Sequence, residues 1–260
     1  MSTPQINNSP YKANTSEISS DFSRAANSYS SNSTIQKKMA DKLLEQVKRS
    51  RQQMTETTLD LGSGIGYLRK AFENSFPSSN FISNDISHTS LALQTSNNCV
   101  VSDFSKLPFQ NQSINNCISN AALQWSPSLE DSFQEINRVL KKNGVFCFTL
   151  LGKNHFCELD EASQISNFKF SSPIQKYSST EIESIIQKLN WTLINKEEHQ
   201  VESQFTTITE MLRHFRNTGV RANQKQSVPV KTLSKNWTQS DTTKQFPLTW
   251  SWHSWVITIN

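Results

Sequence analysis

Ten residues constrain this chain more than any others: Leu59 to Leu68, reading LDLGSGIGYL. The apolar run TTLDLG predicts a short buried strand. Gly62, Gly64 and Gly66 follow at alternate positions, and the chain then turns helical. Glycine suits such a turn because it tolerates φ > 0 and lets a ligand approach the backbone, while the next helix aims its N-terminus at the same place. In open α/β sheets the crevice beyond the strand ends is the usual ligand site.

Downstream, NFISND (80–85), NCVVSDF (98–104), NNCISN (115–120) and GVFCFTLLG (144–152) read as further strands. They alternate with helical segments, which predicts parallel βαβ units. Upstream, Ile35, Met39, Leu43, Leu44 and Val47 recur at helical spacing, with Ser33 as the expected N-cap. After Gly152 the rhythm changes. HFCELDEASQ and TEIESIIQKLN read as helices, the second capped by Thr180, and WTLINKEEHQVE as a sixth strand. A helix is expected around ITEMLRHFRNTG, and LTWSWHSWVITI has the alternation of a half-buried strand. The expected organisation is a disordered tail over 1–20 and one domain over 21–260. Within the domain, 21–55 forms a helical cap, 56–152 the cofactor-binding core and 203–246 a lid-like insertion before the last strand.

The 260 residues carry a net charge of +4 without a dense Lys/Arg block, which gives no footing for nucleic-acid binding. No apolar run of about 18 residues occurs, so no membrane span is expected. Cys99, Cys117, Cys147 and Cys157 form no CxxC pair, and neither a disulfide framework nor a metal site is expected. The expected compartment is cytoplasmic.

The glycine spacing is GxGxG, without the GxGxxG of the dinucleotide fingerprint. Asp85 closes the second strand, where an acid can take both hydroxyls of a ribose. Asp103 ends the third, followed by Phe104, an acceptor and an aromatic face suited to adenine. Asp60, two residues before the turn, can orient the loop or face a ligand ammonium. Ser63, Ile86 and Asn120 complete the expected pocket. Three acids at strand ends around a glycine turn describe a site for a nucleoside carrying positive charge and no phosphate.

This pattern resembles the class I S-adenosylmethionine-dependent methyltransferases over roughly Leu59 to Leu151. LDLGSGIGYL looks like their first motif, NDIS their ribose acid and SDF their adenine site. The fold implied is α/β: a Rossmann-like, mostly parallel seven-stranded sheet flanked by helices, with a helical lid before the last strand. A closer resemblance, spread over nearly the whole chain, is to the malonyl-[acyl-carrier protein] O-methyltransferases of biotin synthesis. It rests on DFSRAANSY, SNAALQW, TLLGKNHFCEL, MLRHFRNTGVRAN and LTWSWHSWVI. Lys153, Asn154 and His155 depart from that family's usual turn, and so does the stretch KQSVPVKTLSKNW.

The resemblance implies methyl transfer from S-adenosylmethionine to the free carboxylate of a malonyl thioester, carried by acyl carrier protein or coenzyme A. A carboxylate is already anionic at neutral pH and needs no general base, so no catalytic residue is singled out. Arg213, Arg216 and Arg221 are candidates to grip the substrate carboxylate, since a guanidinium fork fits it. Tyr29, Gln124 and Trp125 are candidate substrate contacts, and His88 and His155 are expected to face solvent. Lys37, Lys38, Lys48, Arg49, Lys141 and Lys142 could meet an acidic carrier protein. The alternatives are a methyltransferase of a free acid or quinone precursor, a non-catalytic S-adenosylmethionine-binding protein, and a dinucleotide-dependent oxidoreductase.

Overall fold

The structure is a computed structural model that describes residues 15–166, 174–220, 230–237 and 245–260. Seven strands among the described residues form one sheet: β1 (Glu56–Leu61), β2 (Ser79–Asp85), β3 (Cys99–Val101), β4 (Ile114–Ser119), β5 (Leu140–Leu151), β6 (Thr192–Phe205) and β7 (Phe246–Thr258). Their order is β3-β2-β1-β4-β5-β7-β6. The first five are parallel, and β7 runs antiparallel to both β5 and β6. The chain winds one way from β1 to β3 and the other way from β4 onward. The β1/β4 boundary is therefore the switch point at which such sheets open a crevice.

Helices cover both faces. On one side α2 (Thr34–Arg49) and α3 (Tyr67–Ser75) pack Leu43, Val47 and Phe72 on Phe81, Ile118 and Val256. On the other, α5 (Leu129–Val139) and α7 (Ser179–Lys188) bury Phe133, Ile136, Ile182 and Ile186. Local chemistry sets their starts. Ser128 accepts the Asp131 N–H, and Glu130 and Asp131 face the positive end of α5. Helix α7 begins with a reciprocal capping box between Ser178 and Glu181. The cap is thus Ser178 rather than Thr180, because Ser178 has the extended backbone a cap needs and Glu181 sits three residues on. Ser33 does stand between two helices but makes no side-chain capping bond.

Three further expectations change. The strand β7 is not half-buried: inserted between β5 and β6, it buries Trp250, Trp252 and Trp255 together with Thr249, His253 and Ser254. Residues 15–20, expected in the tail, belong to helix α1 (Thr15–Asn32). Their polar composition concealed a tether, Ser19 Oγ–H donating to the Ile86 carbonyl (3.1 Å), and further along the same helix Ser23 Oγ bonds to Ser87 Oγ (2.8 Å). Finally β6 continues to Phe205, so the insertion starts later than residue 203 and carries α8 (Ile208–Asn217) and α9 (Val230–Asn236). No helix among the described residues is long and apolar enough to cross a membrane.

Phe133 is the pin of the larger core. Its ring centroid lies 5.2 Å from Phe148, 5.3 Å from Trp191 and 5.6 Å from Phe146. Phe133→Ala should therefore cost about 3–5 kcal/mol in urea unfolding, the range for a buried aromatic cut to a methyl group. A loss under about 1 kcal/mol would contradict this packing.

Candidate functional site

The cleft lies beyond the carboxyl ends of the parallel strands, and the glycine turn forms its floor. Gly62 has φ +65°, and a Cβ there would stand 2.3 Å from the Ala122 Cβ. Only glycine lets β1 turn against the segment that follows β4. Gly64 has φ +53°, and a Cβ built on it meets nothing within 4 Å. Its left-handed backbone faces open space where a ligand can approach. Gly66 is the left-handed N-cap of α3.

Sequence reasoning missed the residue that holds this turn down. Gln94 donates to Ser63 Oγ (2.9 Å) and to the Gly64 carbonyl (2.8 Å), and accepts from Ser83 Oγ–H (2.7 Å). It lies just past α4 (His88–Ala92), in a stretch without periodicity or motif spacing. Nothing local marks it.

Asp85 closes β2 as expected and Asp60 lies within β1, but Asp103 stands two residues beyond β3, and the environments of the three differ. Asp85 is buried and accepts the Gly64 N–H (2.8 Å) and the Ser87 N–H (2.7 Å), so it ties the glycine turn to β2. Burial still pushes its carboxyl up. Asp60 is 1% exposed, and neither carboxylate oxygen has a hydrogen-bond partner. Burial, with the charge of Asp85 adding to it, pushes Asp60 up to about 8 against the lowering influence of the nearby Arg69 backbone N–H and charge. Asp103 accepts the Ser105 N–H on Oδ1 (2.8 Å) and lines the cleft with Phe104. Asn120 donates to the Gln36 carbonyl (2.9 Å) and accepts from Thr149 Oγ1–H (2.8 Å), which fastens α2 over the site. Every cofactor-site residue expected from the sequence lines this cleft except Gly66.

Helices α1 and α2 roof the cleft through Ile18, Phe22, Tyr29 and Gln36. Phe22 packs edge-on against Trp125, with centroids 5.2 Å apart. Ser28 Oγ–H donates to the Asn217 carbonyl (3.1 Å), so the same helix reaches the insertion. Burial, and then the charge of Asp85, raise the Tyr29 phenol well above its ordinary range, and it keeps its proton.

A second, smaller chamber adjoins the first. Phe22, Tyr29, Gln36, Ala121 and Trp125 line both, and Gln124, His155 and Trp250 line only the second. The structure thus brings Tyr29, Gln124 and Trp125 together at one place. Arg213 and Arg216 are not with them: both are exposed on α8, whose buried side is Met211 and Phe215, and neither lines either chamber. Arg221 lies outside the described residues. His88 is exposed as expected, but His155 is not. It is 2% exposed, its ring tilted against Phe156 with centroids 3.9 Å apart, and burial pushes it down to about 3. It is neutral at physiological pH.

A buried carboxylate without a partner is costly unless a cation meets it. Asp60 beside Asp85 therefore favours a ligand with a positive group and disfavours a pyrophosphate. The open space over Gly64 and the acceptors at Asp85 and Asp103 suit the rest of a nucleoside. These residues fit S-adenosylmethionine better than a dinucleotide.

Comparison with known proteins agrees. Residues 59–148 match the family model described as a methyltransferase domain. The chain is 29% identical over 223 residues to the malonyl-[acyl-carrier protein] O-methyltransferase of Neorickettsia risticii, covering 83% of this chain and 84% of that protein. A protein of the same name from Legionella pneumophila is 30% identical over 158 residues, 58% of this chain and 55% of its own length. Among solved structures, the YcgJ protein of Bacillus subtilis shares the fold with a TM-score of 0.56 at 18% identity, over 83% of this chain and 96% of that one. The phosphoethanolamine N-methyltransferase 2 of Haemonchus contortus, solved with phosphomonomethylethanolamine and S-adenosylhomocysteine, gives 0.52 at 18% identity, over 84% and 52%.

The raised Asp60 carboxyl has a consequence for stability. Its folded value lies above its unfolded one, so the unfolded state ionises first as pH rises, and folding is penalised progressively between about pH 4 and pH 8. Asp60→Asn removes that penalty. Measured without ligand, the variant should gain stability relative to the parent across this window, by roughly 1–4 kcal/mol at its upper end. A stability difference that does not move with pH would contradict the assignment.

Proposed function

The chain belongs to the class I S-adenosylmethionine-dependent methyltransferases, and from that premise we propose that it methylates the free carboxylate of a malonyl thioester. The observation that carries this reading is the absence of a usable base in the second chamber. Its titratable lining residues among those described are Tyr29, which keeps its proton, and His155, which burial holds neutral and weakly basic. An alcohol or phenol acceptor would have to lose a proton during transfer. A carboxylate has lost it already. Relatives named for malonyl-[acyl-carrier protein] give that carboxylate a chemical context.

In this reading Asp85 takes the ribose hydroxyls, Asp60 faces the methionine ammonium, and Asp103 with Phe104 receives the adenine over the glycine turn at Gly62, Ser63, Gly64 and Gly66. Ile86 and Asn120 close the walls. When bound, S-adenosylmethionine supplies an electrophilic methyl: the C–O bond forms as the C–S bond breaks, the electron pair stays on sulfur, and no proton moves. The remaining work of the chain is to hold the nucleophile in line and to exclude water. Phe22 and Trp125, in contact above the junction of the chambers, and the roof of α1 serve that purpose.

The thioester arm would come from an acyl carrier protein bearing malonyl-phosphopantetheine, or from malonyl-CoA. Lys37 lines the cleft, whereas Lys141 starts β5 at the opposite edge of the sheet and pairs with Glu56 at 3.5 Å. A carrier delivering its arm to the cleft would meet Lys37 and Lys38 rather than Lys141 and Lys142.

Mass spectrometry after incubation with S-adenosylmethionine should show the methyl ester on malonyl-carrier protein or malonyl-CoA, formed faster than on free malonate or another free acid. Equal or better rates with free acids would favour a small-molecule methyltransferase, and cofactor binding without any methylated product a non-catalytic role. Asp85→Ala should weaken S-adenosylhomocysteine binding by about 1–3 kcal/mol in calorimetry, through lost charge-assisted hydrogen bonds. An unchanged dissociation constant would remove Asp85 from the ribose site.

A further inference from the structure

A donor in the first chamber and an acceptor in the second must meet at the wall they share. Two residues with polar side chains, Tyr29 and Gln36, line both chambers and so belong to that wall. Gln124, 4% exposed, lines the second chamber next to them.

The two glutamines are unusual among their kind. Gln46 donates to the Ser254 carbonyl (3.3 Å), Gln94 clamps the glycine turn, and Gln175 reaches the Ser126 carbonyl (2.8 Å). The Oε1 of Gln36, Gln46 and Gln124 is buried without a partner, but only in Gln36 and Gln124 does the amide nitrogen also make no bond to another described residue. Only their main chains are engaged: the Gln36 carbonyl accepts from Asn120, and the Gln124 carbonyl accepts the Gln175 N–H (3.0 Å). A buried amide left unpaired carries a desolvation cost that a ligand can recover. Amide oxygen and nitrogen can also exchange places by a flip, so each head can present donors.

The charge balance of the second chamber is equally specific. Among the described residues no Arg, Lys, Asp or Glu side chain lines it. Lys37 lines only the first chamber, where its Nζ donates to the Ser30 carbonyl (2.5 Å) and lies 5.6 Å from the Tyr67 ring centroid. The exposed guanidinium groups of Arg213 and Arg216 lie elsewhere.

Resting on the reading above, we propose that the acceptor carboxylate is received by uncharged donors, Tyr29 and the amides of Gln36 and Gln124, with no arginine or lysine as its counter-ion. The positive sulfur of the methyl donor is then the only cation facing it. A guanidinium would stabilise the carboxylate most while its charge is intact, before transfer, and so raise the barrier. Neutral donors orient it with less ground-state stabilisation. Opposite charges that cancel as the bond forms attract most strongly in a dry, low-dielectric chamber. The amides also set specificity, because they lose their partners when the acceptor lacks the acid.

The test uses malonyl-pantetheine, which has neither a protein surface nor nucleotide phosphates to engage exposed cations. Gln124→Leu should lower kcat/KM by 10- to 100-fold while S-adenosylhomocysteine affinity in calorimetry stays within twofold, which also certifies folding. Gln124→Glu should be as slow at neutral pH and recover as pH falls and the new carboxyl protonates. The triple variant Arg213→Ala, Arg216→Ala, Arg221→Ala should keep kcat/KM within threefold. A triple variant that loses more than 100-fold, or a fully active Gln124→Leu, overturns the inference and leaves the proposed reaction standing. Absence of methyl ester with the parent protein removes the reaction, and the inference with it.

Discussion

Two carboxylates, Asp60 and Asp85, lie buried within one cleft, and neither forms an ion pair among the described residues. Such a pair would weaken any fold unless something offset it. Part of the offset is internal: two backbone N–H groups, from Gly64 and Ser87, bond to Asp85. Asp60 has less help: the nearby backbone N–H and charge of Arg69 offset only part of its burial, and its raised pKa records the cost. The site stores free energy that a cationic ligand recovers, a frequent arrangement in binding sites. The order of the sheet follows from the same demand. Only adjacent parallel β1 and β2 bring the two acids and the glycine turn to one edge.

Everything around this edge serves to close it. Helix α1 is tethered at Ile86 and Ser87 on the cleft side and at Asn217 on the insertion side. One helix therefore spans the roof of both chambers. Beneath the insertion, Phe156, Met211, Phe215, Trp237 and Trp250 form a core separate from the two on the faces of the sheet. That third core gives the second chamber its apolar, uncharged walls. The two chambers thus differ in character: strand ends bring acidic charge to the first, and among the described residues no Arg, Lys, Asp or Glu side chain lines the second.

How much of this the sequence made legible follows from how local each feature is. The glycine turn, Asp85 and Asp103 were readable because a parallel strand fixes which residue stands at its end. The seven-stranded architecture was readable from alternating periodicities and the resemblance they support. The start of α1 was not, since its residues are polar and its tethers join positions 67 and 64 residues apart in the chain. Gln94, Gln36 and Gln124 were hard to weigh for the same reason, as an amide carries no pattern until its partners are known. The burial of β7 depends on β6 closing over it, which LTWSWHSWVITI alone does not encode. The arginines of α8 drew attention by charge, yet helical spacing turns Met211 and Phe215 inward and leaves Arg213 and Arg216 outside.

Calorimetric titration with S-adenosylhomocysteine and with NAD, repeated near pH 7 in buffers of different ionisation enthalpy, tests the central claim most directly. A cleft built on Asp60 and Asp85 to receive a cationic nucleoside predicts one-to-one binding of S-adenosylhomocysteine. A proton should pass to the buffer as Asp60 ionises, and NAD should give no heat. Comparable binding of NAD, or binding of S-adenosylhomocysteine without proton release, would contradict it.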